Sequence, residues 1–235
     1  MNRSATPIAN QLLAHLPAAA LRRLQPELEV LNLRVGTTLF RPAGRLPFAY
    51  FPTSSIVTVR FATQADGPMA KAWPVGREGM VGISLFLGTP RRDNRADVQI
   101  GGLAFRMPTA ALLREFERAE AFQRILLRYV FALVTQASHL AVCNNLHSVE
   151  QRVCRFIVRL FDRIPGKEVD VTQERIGELL GVRRVSITEV ALSLQAEGII
   201  DYHRGHLKLI DKYQLEKRAC TCGARIRRAF AAVTA

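Results

Sequence analysis

The stretch from Val171 to Ile210 constrains the fold most, because two short helical patterns follow each other there with a glycine between them. The first pattern begins after Thr172, a residue type that caps helices, and spaces its apolar residues at i, i+3 and i+4. Gly181 can adopt the positive-φ conformation that ends a helix, so a second helix can start near Arg183 at a steep angle. The apolar positions that would pack the two helices together are Ile176, Leu179, Leu180, Ile187, Val190, Ala191 and Leu194. The stretch therefore predicts a helix-turn-helix.

A hairpin is predicted directly after these helices. Gly198 is placed to end the second helix, and the segment IIDYHRGHLKLI reads as two short strands around a turn at residues 203–206. Such a hairpin is the wing of a winged helix-turn-helix. The residues left facing outward on the second helix are Arg184, Val185, Thr188 and Glu189. An exposed first turn that carries arginines suits a helix entering the major groove of DNA. Units of this shape also serve as protein-contact modules, so both interpretations stay open.

The run from Thr172 to Arg184, with the pattern T-x-x-x-I-G-x-x-L-G-V-x-R, resembles the DNA-binding domain of the Crp/Fnr superfamily of bacterial transcription regulators. The resemblance implies that Arg184 reads a guanine edge, which a guanidinium can pair through O6 and N7. It also implies that Arg183 and Ser186 contact the DNA backbone. Val185 and Glu189 depart from the residues common at their positions, so no operator sequence is implied. The predicted DNA-contacting residues are Thr172, Arg183, Arg184, Val185, Ser186, Thr188, Glu189, His203 and Arg204.

Many short alternating runs between Leu28 and Met107, separated by Gly, Pro and polar clusters, predict an antiparallel sandwich or barrel. Their order resembles the cyclic-nucleotide-binding jelly roll of the same superfamily. The predicted fold class is therefore α+β, with an N-terminal antiparallel β jelly roll, a long dimerisation helix and a C-terminal winged helix-turn-helix. The predicted divisions are N-terminal helices at 1–27, the jelly roll at 28–108, a helical region with the dimerisation helix at 109–147 and the winged domain at 148–235.

The resemblance also points to an effector site in the jelly roll. Superfamily members that bind a cyclic nucleotide hold its ribose with a glutamate and its phosphate with an arginine, which match Glu78 and Arg95 here, with Arg91 as the second candidate arginine. Arg77 replaces the glycine expected before the glutamate, and Asp97 brings a negative charge to where a phosphate would lie. The alternative is that these side chains form an internal ion pair or a solvated loop. We therefore predict a sensor that does not bind cyclic AMP in the usual way, while a small-molecule effector of another kind stays open.

The segment from Thr109 to Ile164 contains few helix breakers and predicts long helices. One heptad-spaced stripe predicts a helix that pairs with its own copy, and it consists of Leu126, Val130, Leu133, Ala137, Leu140 and Asn144. A second stripe is predicted to pack on the β domain, and it consists of Leu127, Phe131, Val134, Ser138 and Ala141. A helix buried on all sides within one chain has the same pattern. The resemblance favours the homodimer, because Crp/Fnr regulators dimerise through a helix in this position.

Charge and apolar content indicate the partners. The formal net charge of +13 suits a polyanion such as double-stranded DNA, because each neutralised phosphate releases counterions. We expect no contact with a membrane, since no run approaches the roughly 20 apolar residues of a spanning helix, and we expect a cytoplasmic protein. The predicted partners are double-stranded DNA and a second copy of the chain, with RNA polymerase as a further candidate.

The four cysteines of the chain are the residues to examine for a metal or an iron–sulfur cluster. Cys220 and Cys222 are one residue apart with no second ligand pair beside them in the sequence, so we expect no metal there. No cysteine precedes Cys143, whereas Fnr-type iron–sulfur regulators carry theirs near the N-terminus, so we expect no cluster. We expect no enzyme either, because the β region lacks the histidines of a cupin metal site and the chain has no Gly-x-Ser-x-Gly or Walker-type loop.

Overall fold

A computed structural model describes residues 6–62, 69–88 and 94–234 of the chain. The chain divides into two compact units, one formed by Met1–Leu133 with Phe230–Ala235 and the other by Val134–Ala229. The division falls inside a long helix, and the four-part organisation predicted from the sequence stays a prediction.

The first unit is built on two antiparallel sheets. It starts with the short helices α1 (Gln11–Ala14) and α2 (Ala18–Leu24). The strands are β1 (Glu29–Leu33), β2 (Thr38–Phe40), β3 (Phe48–Pro52), β4 (Ile56–Ala62), β5 (Met69–Val75), β6 (Asn94–Ile100) and β7 (Gly102–Pro108). One sheet has the order β1-β7-β3 and the other the order β2-β6-β4-β5. Apolar side chains from both sheets, including Phe40, Tyr50 and Val57, form the core between them. The predicted antiparallel β domain is confirmed.

Two helices follow the sheets, α3 (Thr109–Glu117) and α4 (Ala121–Leu146). The N-terminal half of α4 buries Phe122, Leu126 and Tyr129 in the core of the first unit. The Tyr129 hydroxyl donates a hydrogen bond to the backbone oxygen of Met80 at 3.1 Å. A side chain at Gly79 would overlap the Tyr129 ring, so only glycine fits beside it.

Parts of both stripes of α4 lie differently from the prediction, although Ala137 and Asn144 of the predicted dimer stripe are exposed. Leu126 and Leu133, predicted to face a second copy, are buried within the chain, at 0% and 7% exposure. The stripe predicted to pack on the β domain is exposed instead, with Phe131 at 71% and Val134 at 56%. Both stripes have the same heptad spacing, offset by one residue, so periodicity alone does not decide which one meets the core. Leu126 and Leu133 were therefore assigned to the wrong face, while the subunit contact itself stays a prediction.

Of the helices in the described part of the chain, α4 is long and apolar enough to cross a membrane by length and composition, with a mean hydropathy of 1.5 in its most apolar window. The expectation that the chain contains no such run was therefore wrong. A third of that window is buried inside the protein, since one side of the helix belongs to the core. A helix with one face in a core and apolar residues on the opposite face has this composition without entering a lipid bilayer.

The second unit contains the predicted winged helix-turn-helix. Its helices are α5 (Val149–Arg163), α6 (Gln173–Leu180), α7 (Arg184–Ala196), α8 (Lys212–Arg218) and α9 (Cys222–Ala231), the last of which ends beyond the unit. Its strands β8 (Glu168–Asp170), β9 (Ile200–His203) and β10 (His206–Leu209) form an antiparallel sheet in the order β8-β10-β9. Ser148 and Gln151 form a capping box that fixes the start of α5. The strands β9 and β10 are the predicted wing.

Two glycines shape the turn between α6 and α7. Gly181 ends α6 in the left-handed conformation, with φ +65°. The N–H of Val182 then donates to the backbone oxygen of Gly177 at 3.0 Å, which folds the chain back over the last turn of α6. Ile187, on α7, is buried and holds the second helix against the first. The predicted helix-turn-helix is confirmed, including the role of Gly181.

Candidate nucleic-acid interface

The first turn of α7 presents two arginines to solvent. Arg183 occupies the N-cap position with an extended backbone. Arg184 and Val185 form the exposed start of the helix, with Val185 at 64% exposure. On the opposite face Ala191 and Leu194 are buried and fix the helix to the rest of the unit. The helix is therefore rigidly held while its N-terminal side chains remain accessible, as a groove-reading helix requires.

A polar groove of about 310 Å³ lies between the starts of α6 and α7 and the tip of the wing. The residues that line it are Thr172, Gln173, Glu174, Arg184, Tyr202, Arg204 and Gly205. The structure thus brings together Thr172, Arg184 and Arg204, which the sequence predicted as DNA contacts on three separate elements. Arg184 and Arg204 supply positive charge to the groove, and Glu174 supplies one negative charge.

The start of α6 forms one wall of this groove. The Thr172 hydroxyl oxygen accepts a hydrogen bond from the N–H of Arg175 at 3.2 Å and so caps the helix as predicted. Helix N-termini attract anions through their unpaired N–H groups and the helix dipole. Gln173 was missed by the sequence reasoning, although its place directly after the cap was a signal. Its side-chain oxygen accepts a hydrogen bond from Thr188 at 2.7 Å, which ties α7 to α6.

The remaining predicted residues on α7 differ in accessibility. Glu189 is exposed, whereas Ser186 and Thr188 are half-buried. The Thr188 hydroxyl is already engaged by Gln173 and lies 3.1 Å from the backbone oxygen of Arg184. Thr188 therefore holds the two helices together, and a contact with a DNA base would compete with that hydrogen bond.

The wing turns tightly at two residues with positive φ, Arg204 at +49° and Gly205 at +85°. Consecutive positive-φ residues are typical of the two-residue hairpin turn whose twist matches the strands. The turn leaves Arg204 exposed at the tip. His203 is also exposed, and its Nε2 lies 2.7 Å from Oδ1 of Asp201.

Two wing residues that the sequence did not single out add chemistry to this surface. A hydrogen bond with Asp170, 2.8 Å from Nδ1, raises the pKa of His206, so its positive charge persists to a higher pH than usual. Tyr202 donates its hydroxyl to the backbone oxygen of Val171, and burial raises its pKa to about 12. Tyr202 therefore stays neutral and forms a fixed wall of the groove.

The proposed effector residues are placed differently from the superfamily pattern. Glu78 is buried, and its carboxylate accepts from the N–H of Gly76 at 3.4 Å. Arg95 donates to Oδ1 of Asp97 at 2.7 Å and to the Thr38 hydroxyl at 2.9 Å. Asp97 is buried and also lies 3.2 Å from Nε of a second arginine, Arg60. Arg95 thus forms an internal ion pair with Asp97, whereas the pair left open from the sequence was between Arg95 and Glu78.

The β domain contains a small cavity that Glu78, Arg95 and Asp97 do not line. This cavity of about 20 Å³ is lined mainly by apolar side chains, among them Phe40, Trp73 and Leu133. That volume is room for about one water molecule. The second candidate arginine, Arg91, lies outside the described residues.

The structure brings together one group of metal-ligating side chains that the sequence did not predict. Cys220 and Cys222 lie beside Cys143 and His147, and the four ligand atoms are all within 4.8 Å of one another. The expectation that Cys220 and Cys222 lack a second ligand pair was wrong, because folding joins segments that are distant in the sequence. Burial raises the pKa of the Cys143 thiol to about 11.

The described residues form an antiparallel β sandwich, a long helix and a winged helix-turn-helix. Residues 151–218 match the family described as the Crp-like helix-turn-helix domain. Many solved structures share the fold. No curated protein sequence matches the chain.

Three solved structures illustrate the likeness. FixK2 from Bradyrhizobium japonicum has a TM-score of 0.67 at 14% identity, over 82% of this chain and 98% of that one. A Crp/Fnr-family transcriptional regulator from Thermus thermophilus has a TM-score of 0.61 at 17% identity, over 81% of this chain and 98% of that one. The c-di-GMP-responsive regulator CLP from Xanthomonas campestris has a TM-score of 0.57 at 18% identity, over 82% of this chain and 99% of that one. Residues 151–218 therefore match the Crp-like helix-turn-helix domain, and the chain shares the fold of solved Crp/Fnr-family regulators, as the sequence predicted.

Proposed function

We propose that this chain is a sequence-specific DNA-binding transcription regulator that acts as a homodimer on an inverted-repeat operator. The observation that carries the proposal is the groove in which Thr172, Arg184 and Arg204 meet beside the exposed start of α7. With α7 in the major groove, Arg184 would face base edges and Arg204 on the wing would meet the phosphate backbone. Val185 and Glu189 would then contribute to the choice of bases.

The homodimer is supported by the exposed stripe of α4. Its apolar members Leu127, Phe131 and Val134 follow heptad spacing and are between 46% and 71% exposed. Ser138 and Ala141 continue the stripe and are exposed as well. A contiguous apolar surface on a helix is typical of a subunit contact, and a two-fold pair of such helices packs the same stripe from each copy. Two DNA-binding units related by a two-fold axis would require half-sites about one helical turn apart.

For the sensor we propose that cyclic AMP is not the effector. Asp97 already neutralises Arg95, so the cation that would meet a phosphate is engaged within the protein. An effector of different chemistry stays open, and CLP, a protein of the same fold, is described as responsive to c-di-GMP.

The remaining parts of the proposal follow from DNA binding. A regulator of this kind would work in the cytoplasm, would contact RNA polymerase if it activates transcription and would have no catalytic role. Chromosomal DNA, and not a membrane, would be the partner of its excess positive charge.

Arg184→Ala is expected to weaken binding to a specific site by about 1 to 3 kcal/mol and to relax one base position. The reason is that a guanidinium paired with a guanine edge discriminates between bases, whereas alanine does not. The measurement is selection of an operator from random DNA with the purified protein, followed by titration of both proteins on the selected site and on its single-base variants.

Arg225→Ala is the matched control, since it removes the same charge from an exposed position on α9, outside the groove. Equal losses for both variants, or an equal loss of Arg184→Ala on every sequence, would contradict base reading by Arg184. Failure of the wild-type protein to select any DNA would favour the protein-contact interpretation instead.

Calorimetry is expected to show no cyclic AMP binding at micromolar concentrations, because Asp97 competes with a phosphate for Arg95. Asp97→Asn is the informative variant, since it keeps the shape and releases the arginine. Micromolar or tighter binding to the wild-type protein that is lost in Arg95→Ala would contradict the prediction.

A further inference from the structure

Four metal-ligating side chains from two distant parts of the chain meet in the second unit. Cys143 and His147 lie one helical turn apart at the C-terminal end of α4, and Cys220 and Cys222 lie where α8 gives way to α9. Sγ of Cys143 is 3.4 Å from Sγ of Cys220, and Sγ of Cys222 is 3.8 Å from Nδ1 of His147. All four ligand atoms lie within 4.8 Å of one another.

The separations of 3.4 Å and 3.8 Å are close to those around one tetrahedral ion, and the upper limit of 4.8 Å is about 1 Å longer. Zinc binds thiolate sulfur at about 2.3 Å and imidazole nitrogen at about 2.0 Å, which places tetrahedral ligand atoms about 3.5 to 3.8 Å apart. A hydrogen bond between two thiols would explain one short distance, but it would not gather all four ligand atoms. An iron–sulfur cluster spreads its protein ligands over two or more irons, so it would hold some of the ligand atoms farther apart.

The surroundings suit a buried thiolate group. Cys143, Cys220 and Cys222 are all buried, and His147 is half-buried. Arg155, a buried arginine on α5, packs against Gly223, and its charge acts on both Cys143 and Cys222. Its Nε has no hydrogen-bond acceptor in the described part of the protein. Three thiolates and a neutral imidazole around a divalent ion carry a net negative charge, which this guanidinium would balance as an outer partner of the site.

We propose that Cys143, His147, Cys220 and Cys222 bind one zinc ion in a Cys₃His site. Four protein ligands leave no open coordination position, so the ion is structural. It fastens the junction of α8 and α9 to the end of α4 and thereby stabilises the second unit. Zinc is favoured over harder ions, because thiolates prefer soft or borderline metals and Cys₃His is a usual ligand set of structural zinc.

The test uses the full-length protein, purified in reductant without chelators and without a histidine tag. Elemental analysis is expected to find one zinc ion per chain. Cobalt(II) substituted for zinc is expected to show the sulfur-to-metal charge-transfer absorption and the visible bands of a tetrahedral site. Cys222→Ser and His147→Gln are expected to lose bound zinc, and removal of zinc by a strong chelator is expected to lower the melting temperature of the wild-type protein by about 5 °C or more.

Cys154→Ser is the matched control, since Cys154 is buried on α5 but lies outside the group of four ligands. It is expected to keep its zinc and its cobalt spectrum. A wild-type protein that neither retains zinc nor gives the cobalt spectrum would overturn the proposal. So would a zinc-free protein that is lighter by two hydrogen atoms under non-reducing conditions and whose peptide map joins Cys143 to Cys220, because these thiols would then form a disulfide instead of binding a metal. If the ligand variants fail to fold, the cobalt spectra of the wild type and Cys154→Ser still decide the question.

Discussion

A Phe131→Glu variant is expected to be a monomer in solution and to bind the operator at least ~100-fold more weakly than the wild type. The reason is that a dimer gains about 10² or more in affinity when both of its helix-turn-helix units bind DNA together. Phe131 lies at the centre of the exposed stripe on α4. Across a two-fold axis a glutamate there would meet its own copy or the apolar stripe of the partner, and both are unfavourable. Sedimentation analysis and operator titration measure the two effects.

Two further variants distinguish a loss of dimerisation from a loss of folding. Phe131→Leu keeps an apolar side chain on the stripe and is expected to remain dimeric. Leu133→Glu, by contrast, introduces a carboxylate at a buried position and is expected to destabilise the protein by several kcal/mol. A dimer that survives Phe131→Glu would contradict the assignment of the exposed stripe as the subunit contact.

Local patterns predicted the winged helix-turn-helix from sequence almost completely. Thr172, Gly181 and the apolar spacing around Ile187 each determine the backbone within a few residues, and the structure shows the cap, the left-handed turn and the buried face that they predict. The groove depends on the same elements, so Thr172 and Arg184 could be assigned to it. Tyr202 could not be assigned to the groove from sequence, because it reaches the groove only through the pairing of β9 with β10.

Long-range features were predicted less well. On α4 two stripes offset by one residue carry equal periodicity, and the sheet that covers one of them decides which is exposed. Arg95 and Asp97 are two residues apart on β6 and share a face, so their ion pair had a local signal in the alternation of the strand. Cys143 and His147 likewise have the i, i+4 spacing of a ligand pair, but only tertiary structure brings Cys220 beside them.

Gly177→Val is expected to have the largest effect on the stability of the second unit. A Cβ on Gly177 would lie 2.9 Å from the backbone oxygen of Val182, closer than a side-chain carbon approaches a carbonyl oxygen. That oxygen belongs to the turn between α6 and α7, so relief of the overlap requires the two helices to separate. Overpacking of this kind costs about 1 to 3 kcal/mol, and the two further methyl groups of valine add to it. Urea unfolding measures the loss.

Gly181→Ala is the control that distinguishes a steric clash from backbone strain. Gly181 has φ +65°, and a Cβ added there would meet no atom within 4 Å, so alanine adds only the cost of a left-handed residue, about 1 to 2 kcal/mol. Gly177→Val should therefore lose more stability than Gly181→Ala. It should also lose operator binding at temperatures where the protein remains folded, because the position of Arg184 relative to Thr172 depends on the angle between α6 and α7. If Gly177→Val is as stable as Gly181→Ala and binds the operator as the wild type does, the turn can open without moving the groove.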